Sequence, residues 1–221
     1  MDLGKAGQGN SDLQPAGPTE VLELLTPLSI PWWIAGGWAL DLFLGRVTRP
    51  HGDVDVGIFR GDAPSMCTSL AGWDFFEAHE GALTHLALRT APRRAVNSLW
   101  CRRQGEREWK FELMLDDGGG DQWIFRRDHE IRLPLEIAIR RSAEGVPFLA
   151  PEIQLLYKSK LVRPKDQADF ESIVGLLGEA PRAWLRASLA RVHPGHFWLS
   201  QLSTFRKDCR KRFDLAVLLV P

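Results

Sequence analysis

The chain has 221 residues, and 44% of them are hydrophobic, which is enough for a buried core and excludes a mostly disordered protein. Its 28 basic and 28 acidic residues give a net charge of zero, which argues against a nucleic-acid partner, because contacts with a phosphate backbone need a basic surface. No apolar run reaches the ~18 residues that span a bilayer, so we expect no membrane partner.

The first part of the chain predicts a leader followed by four elements. Residues 1–18 are rich in Gly, Asp, Gln and Pro, which is typical of a flexible leader. Thr19 predicts the N-cap of a helix that stops near Pro27. The next elements are a buried strand over residues 32–35, a helix over 38–44 closed by Gly45, and a strand over 53–59.

The middle of the chain predicts further strands after one helix. Pro64 suits the first turn of a helix over residues 63–70. Three strands are expected, over residues 84–89, 96–102 and 109–115. Residues 104–106 predict a hairpin turn between the last two, and residues 116–121 predict a flexible acidic turn.

From residue 151 onward the apolar residues recur with helical spacing. Four short helices are predicted, over residues 151–161, 166–177, 181–192 and 194–202. The sequence therefore predicts an α+β fold in which a small mixed sheet is followed by a C-terminal helical segment. We expect a main domain over residues 19–150, the helical segment over 151–205, and a tail over 206–221 whose role the sequence does not indicate.

The cysteines and the N-terminus bear on localisation. Three cysteines, an odd number without the spacing of a zinc site, indicate thiols in a reducing compartment: Cys67, Cys101 and Cys209. The N-terminus lacks the basic and then apolar pattern of a signal peptide. We therefore expect a cytoplasmic protein.

The segment from residue 34 to residue 56 carries the clearest chemical signal. Gly36 and Gly37 precede a short apolar helix, where backbone N–H groups and the helix start can approach phosphate oxygens closely. Asp53 and Asp55 are two residues apart in a predicted strand, so both carboxylates can reach one cation. These residues predict a site for a nucleoside triphosphate and its metal ion.

Two blocks of sequence resemble the nucleotidyltransferase superfamily. Gly36-Gly37 followed by residues 45–55 (GRVTRPHGDVD) is similar to its signature, and the GRxTRxHxDxD form most resembles the aminoglycoside 2''-adenylyltransferases and lincosamide nucleotidyltransferases. Residues 155–160 (LLYKSK) and 163–170 (RPKDQADF) resemble a lysine-bearing helix that leads into a K/R-D-x-x-D helix. The order of elements extends the resemblance over roughly residues 20–200 and implies a nucleotidyltransferase fold.

The resemblance implies a mechanism. Asp53 and Asp55 would hold Mg²⁺ on the triphosphate of ATP, and Gly36 and Gly37 would cradle its phosphates. A hydroxyl of the acceptor would attack the α-phosphorus in line and release pyrophosphate. Two carboxylates on one strand face repel each other, so a cation is their natural partner.

Other residues are candidates on the same grounds. Glu112 would be a third catalytic carboxylate, as metal ligand or general base, and the alternatives are a surface ion pair with Lys110 or the use of Asp116 instead. Lys158, with Lys160 in reserve, would contact phosphate, and the alternative is a solvated helix surface.

Arg49 lies in the basic turn before the two aspartates. We expect at least one arginine of this turn to orient the loop or to contact phosphate, and Arg49 is our candidate. His51, in the same turn, belongs to the resembling motif.

The expected reaction moves AMP from ATP to a hydroxyl of a small molecule, for which an aminoglycoside or a lincosamide antibiotic is the family-guided choice. A cationic aminoglycoside would need an acidic cleft, which five residues could supply: Asp116, Asp117, Asp121, Asp128 and Glu130. The alternatives are modification of a protein or a transfer RNA, as in toxin and antitoxin systems, and nucleotide binding without turnover. The sequence leaves the oligomeric state open.

Overall fold

The computed structural model describes residues 17–203 of the protein. The leader up to residue 16, the tail over 206–221 and Cys209 lie outside the described residues. The chain divides into two compact units, Met1–Gln154 and Leu155–Pro221. The predicted domain limits, 19–150 and 151–205, stay predictions.

The first unit alternates short helices and strands. It begins with helix α1 (Pro18–Leu25), strand β1 (Trp32–Ile34), helix α2 (Gly36–Leu44), strand β2 (Asp55–Phe59) and, after a 3₁₀ turn, helix α3 (Ala63–Ser69). The strands β3 (Trp73–His79), β4 (Ala82–His85), β5 (Ser98–Arg103) and β6 (Phe111–Gly119) follow. The unit continues through β7 (Gln122–Ile124), β8 (Arg132–Pro134), α4 (Leu135–Ala138), β9 (Ile139–Arg141) and β10 (Pro147–Leu149) to the start of helix α5 (Pro151–Lys158).

The strands form one mixed sheet in the order β4-β3-β5-β6-β2-β1-β10-β9, from which β7 and β8 branch at β6. Strand β2 pairs in parallel with β6, and β1 pairs in parallel with β10. The neighbouring pairs β1–β2 and β5–β6 are antiparallel. The predicted α+β fold with a mixed sheet is confirmed, and β2 lies near the middle of that sheet.

The two faces of the central strands differ in burial. On one face the side chains are fully buried in the core, as for Val56, Phe75, Leu99 and Leu113. On the other face the side chains are half-buried, as for Asp55, Phe76, Trp100 and Glu112. Successive strand residues point to opposite faces, so this alternation separates an apolar core from a face that can hold a site.

Two predictions near the N-terminus need correction. Thr19 is not the N-cap of α1, because the helix begins at Pro18 and its N-cap is Gly17. Helix α2 begins at Gly36 rather than at residue 38, so the glycine pair forms its first turn instead of preceding it. The predicted end of α2 at Gly45 is confirmed, with the left-handed φ of 65° that glycine permits.

The strand predictions in the middle of the chain also change. The strand expected over residues 84–89 is replaced by β4, which pairs with β3, a strand that sequence patterning missed. Glu80 and Gly81, with φ of 49° and 79°, form the two-residue turn between them, and Glu-Gly is a weak turn signal in sequence.

The prediction of a turn over residues 116–121 is wrong for residues 116–119, and the turn is limited to Gly120 and Asp121. Strand β6 continues to Gly119 and pairs with β7, with Asp117 opposite Ile124. The three glycines at residues 118–120 have φ of 118°, 155° and 59°, so they give the end of this hairpin backbone angles that other residues rarely adopt. A glycine-rich run therefore carries strand pairing here, where the sequence suggested a loop.

The second unit is helical. It contains the end of α5 and the helices α6 (Pro164–Val174), α7 (Glu179–Val192) and α8 (Trp198–Ser203). The four predicted helices are confirmed, although their limits shift by a few residues and α7 is longer than expected. Phe170 and Trp198 stack with ring centroids 4.2 Å apart, and the Trp198 indole donates a hydrogen bond to Gln167 Oε1 at 2.7 Å. Within residues 17–203, no helix combines the length and apolarity that crossing a membrane would need.

The two described cysteines are core residues. Cys67 and Cys101 are buried free thiols. Burial raises the pKa of Cys67 to about 12 and raises the pKa of Cys101 well above its usual value. A thiolate is the reactive form, so neither residue is poised as a nucleophile or a metal ligand.

Candidate active site

Three carboxylates meet at the start of β2. Asp53 lies in the loop before the strand, Asp55 is its first residue, and Glu112 is on β6. Each offers an oxygen, and these oxygens lie within 4.8 Å of one another. Three partly exposed carboxylates at this distance form a donor set that suits a hard divalent cation such as Mg²⁺.

Strand pairing brings the third carboxylate to the first two. Asp55 and Glu112 are directly opposite each other in the parallel β2–β6 pair, and the Glu112 N–H donates to the carbonyl of Val54 at 2.9 Å. The strand itself begins at Asp55, so Asp53 approaches from a loop, and not from the strand position that the sequence predicted.

Asp116, the alternative third carboxylate, lies away from this cluster. It is four residues beyond Glu112 on β6, a distance of about 13 Å along a strand. Its side chain is 3% exposed and accepts a hydrogen bond from the indole of Trp123 at 3.3 Å. Lys110, the other alternative partner of the sequence analysis, forms an ion pair with Glu106 at 3.0 Å.

The glycine pair lies directly against the carboxylates. Gly36 has a left-handed φ of 66°, and a Cβ at this position would be 2.9 Å from Cγ of Asp55. The Gly36 N–H donates to Gln154 Oε1 at 2.8 Å, so phosphate binding at this N–H would require Gln154 to turn away. A Cβ at Gly37 would be 2.6 Å from a guanidinium nitrogen of Arg49. Both positions therefore need glycine for close approach.

A buried hydrogen-bond chain holds the basic turn against the glycine pair. Asp41, on α2, accepts hydrogen bonds from Thr48 Oγ1 and from His51 Nε2, each at 2.5 Å. His51 Nδ1 lies 3.2 Å from Nη1 of Arg49. Arginine can only donate, so Nδ1 accepts and Nε2 carries the proton that His51 donates to Asp41. Asp41 thereby sets the tautomer that orients Arg49.

Sequence reasoning missed Asp41 and Gln154. Asp41 could have been found, because an aspartate inside an apolar helix is expected to be buried with polar partners, and donors follow it within the motif. Gln154 gives no local signal, because it is 118 residues from its partner Gly36.

The predicted phosphate lysines belong to the second unit. Nζ of Lys158 lies 3.0 Å from Asp166 Oδ1 and 2.9 Å from Asp169 Oδ2, and its side chain is 8% exposed. Burial alone would raise the pKa of Asp166, but hydrogen bonds from Arg163 and Lys158 outweigh it and hold this pKa at about 2. Lys160 is exposed in the turn after α5. Lys158 is therefore already held by two ion pairs within the second unit.

A mixed sheet with one aspartate at the start of a strand, a second in the loop just before it and a glutamate opposite on a parallel strand defines a protein of the nucleotidyltransferase fold. The lincomycin-bound structure of the lincosamide antibiotic adenylyltransferase LnuA is similar, with a TM-score of 0.50, 16% identity, and coverage of 72% of this chain and 95% of that one. At this identity the likeness shows the fold alone.

The family model described as aminoglycoside-2''-adenylyltransferase matches residues 19–172, and the chain belongs to this family. A 2''-aminoglycoside nucleotidyltransferase of Klebsiella pneumoniae is 43% identical over 56 residues, which are 24% of this chain and 32% of the relative. One of Escherichia coli is 37% identical over 70 residues, which are 30% of this chain and 40% of the relative. The matches span only about a third to two fifths of these curated relatives.

Proposed function

We propose that the protein is a nucleotidyltransferase that moves AMP from ATP to a hydroxyl of a small molecule, with an antibiotic of the aminoglycoside or lincosamide type as the acceptor class. The carboxylate cluster of Asp53, Asp55 and Glu112 is the observation that carries the proposal, together with membership of the aminoglycoside-2''-adenylyltransferase family. The presence of a third carboxylate favours a transferase over a protein that binds nucleotide without turnover.

Each site residue has a role in this proposal. Asp53 and Asp55 hold Mg²⁺, which, when bound, would neutralise the triphosphate and favour attack on the α-phosphorus. Glu112 accepts the proton of the attacking hydroxyl. Gly36 and Gly37 allow the phosphates to approach the backbone at the start of α2, where the helix dipole favours negative charge.

The basic turn supplies the complementary charge. Arg49 lies against Gly37, so a guanidinium held there contacts phosphate bound at the glycine pair. Asp41 and His51 position Arg49 and do not themselves contact the nucleotide in this proposal. Lys160 is exposed and stays a candidate phosphate contact, whereas Lys158 would first have to leave two carboxylates.

The test is a transfer assay with purified protein, ATP, Mg²⁺ and a panel of aminoglycosides and lincosamides. Pyrophosphate release and the mass of the acceptor are read together, and a rise by one adenylyl group is expected. Asp53→Asn is expected to abolish both signals, whereas Asp62→Asn, which changes a partly exposed aspartate outside the cluster, should leave them unchanged. Activity of Asp53→Asn equal to that of the wild type would contradict the proposed mechanism.

A further inference from the structure

Three large aromatic side chains lie beside the carboxylate cluster, and we call them the aromatic shelf: Phe76 on β3, Trp100 on β5 and Trp109 in the segment that leads into β6. Trp100 is directly opposite Glu112 in the β5–β6 pair, and Phe76 is directly opposite Trp100 in the β3–β5 pair. Residues opposite each other in register point to the same face, and their Cα atoms are about 5 Å apart. The row Asp55–Glu112–Trp100–Phe76 therefore crosses one face of the sheet without interruption.

The shelf is a built surface. The Trp109 ring meets Trp100 and Phe76 edge to face, with centroids 5.3 Å apart in both pairs. All three side chains stay partly exposed, although the residues on the opposite face of the same strands are fully buried. Large aromatic rings left partly exposed beside a polar cluster are typical of a small-molecule site.

The order of the strands decides which substrate this shelf faces. In the order β5-β6-β2-β1, the aromatic shelf lies on the β5 side of the carboxylates. The glycine pair follows β1 on the other side, where the Ala35 N–H donates to the carbonyl of Asp55 at 2.8 Å. In-line displacement puts the attacking hydroxyl opposite the departing pyrophosphate. If the phosphates lie at the glycine pair, as the proposed function holds, the shelf faces the acceptor and not the nucleotide.

The charges around the shelf limit the acceptor further. The guanidinium of Arg102 lies 4.6 Å from the Phe76 ring centroid and 5.1 Å from that of Trp109, so a cation already occupies these ring faces. Asp74 is opposite the cationic Arg102 in register, and its carboxylate lies 3.7 Å from Nε2 of His85, so it already has polar neighbours. The shelf itself therefore offers apolar contact beside a guanidinium, and the negative charge next to it is that of the carboxylates proposed to hold the metal.

Several residues that could have formed an acidic cleft for a polycation are buried or already have polar partners. Of its five candidate residues, Asp116 is buried, and Asp117 lies 2.9 Å from His129 and 3.6 Å from Arg60. The carboxylate of Asp128 accepts a hydrogen bond from the backbone N–H of Glu130 at 3.1 Å.

We propose that the aromatic shelf is the acceptor subsite and that it selects a hydroxylated small molecule with an apolar face and at most one positive charge, in preference to a polycation. The inference rests on the proposed function for the direction of the acceptor. It names the substrate class of the same site, and it makes Trp100, Trp109 and Arg102 determinants of specificity.

The test is a direct binding measurement by calorimetry on the full chain without ATP, so that it does not depend on turnover. The probes are lincomycin, which joins hydroxyls and an apolar side to a single basic amine, and tobramycin, a polycation. Lincomycin is expected to bind the wild type and Trp100→Phe alike and Trp100→Ala about tenfold more weakly, because the ring is lost. Leu88→Ala, which changes an apolar side chain 55% exposed outside the shelf, is the matched control and should bind as the wild type does.

The other variants test charge and fold. Arg102→Gln should strengthen tobramycin binding and leave lincomycin binding within about twofold. If circular dichroism shows that Trp100→Ala does not fold, Trp109→Leu takes its place and should show the same loss of lincomycin binding. The inference is overturned if lincomycin fails to bind the wild type, if folded Trp100→Ala binds it equally well, or if tobramycin binds the wild type more tightly. It is also overturned if Trp100→Ala weakens ATP binding to the same extent, since the shelf would then hold the nucleobase. Lincomycin binding without any adenylylated product would count against the proposed function alone.

Discussion

Replacing Glu112 with glutamine tests whether this residue completes the active site. The substitution keeps the size of the side chain and removes one negative charge from the cluster with Asp53 and Asp55. Three carboxylates whose oxygens lie within 4.8 Å of one another repel strongly when no cation is bound. The metal-free variant is therefore expected to be more stable than the metal-free wild type, although the variant should be the poorer enzyme.

The distance gives the size of the effect. At 4.8 Å, one pair of unit charges repels by about 1 kcal/mol in bulk water and by about 3 kcal/mol at the effective dielectric constant typical of a protein surface. Glu112→Gln removes two of the three pairs, which at the solvent-screened limit stabilises the metal-free protein by about 2 kcal/mol. For a chain of this length that corresponds to a rise of about 4–8 °C in Tm.

Thermal unfolding at low ionic strength, with EDTA and then with Mg²⁺, measures this directly. We expect Mg²⁺ to raise the Tm of the wild type and of Glu112→Gln, because Asp53 and Asp55 remain, and to leave that of Asp53→Asn nearly unchanged. Turnover of Glu112→Gln should fall by about 10²–10⁴-fold, the usual contribution of a general base. A metal-free Tm no higher than that of the wild type, with turnover retained, would refute the reasoning.

Three further predictions concern other parts of the structure. Gly36→Ala and Gly45→Ala should each cost about 1 kcal/mol of stability, because both glycines have left-handed φ. Only Gly36→Ala should lose the Mg²⁺-induced rise in Tm, because its Cβ would displace the Asp55 carboxylate that we propose as a metal ligand. Lys158→Ala should lower the free energy of unfolding by about 3 kcal/mol, because it removes a buried cation from Asp166 and Asp169, although Arg163 still pairs with Asp166. Exposed Lys160→Ala should change this free energy by less than about 0.5 kcal/mol. A stable Lys158→Ala variant with a raised KM for ATP would instead favour the phosphate role. The lowered pKa of Asp166 contributes stability that is present above pH 4 and is lost as the pH falls toward 2. Urea titrations should therefore show that the difference in unfolding free energy between the wild type and Asp166→Asn shrinks by about 2 kcal/mol between pH 5 and pH 2.

The α+β class and the order of the elements around the site could be predicted from the sequence. The reason is local, because each signal lies within one short segment: the apolar run before Gly36, the left-handed end of α2 at Gly45, and the valines that alternate with Asp53 and Asp55. The alternation of polar and apolar residues on β6 was also sufficient to put Glu112 and Leu113 on opposite faces.

Other features depend on contacts that no local pattern shows. The parallel pairing of β2 with β6 joins residues far apart in sequence, so the closeness of Glu112 to Asp55 could only be a hypothesis. The paired carboxylates of Lys158 lie one helix further along the chain, and the resemblance suggested a phosphate contact instead. The β3–β4 hairpin was missed because its turn has Glu80 in a left-handed conformation, which glutamate seldom adopts.

The most direct test of the central claim is a single measurement of adenylyl transfer with radiolabelled ATP, wild-type protein, an antibiotic acceptor and either Mg²⁺ or EDTA. Asp53, Asp55 and Glu112 are assigned here to a metal-dependent transfer, so label should pass to the acceptor with Mg²⁺, stop with EDTA, and stop with Asp53→Asn in the presence of Mg²⁺. Transfer that continues in EDTA, or in Asp53→Asn, would contradict the account.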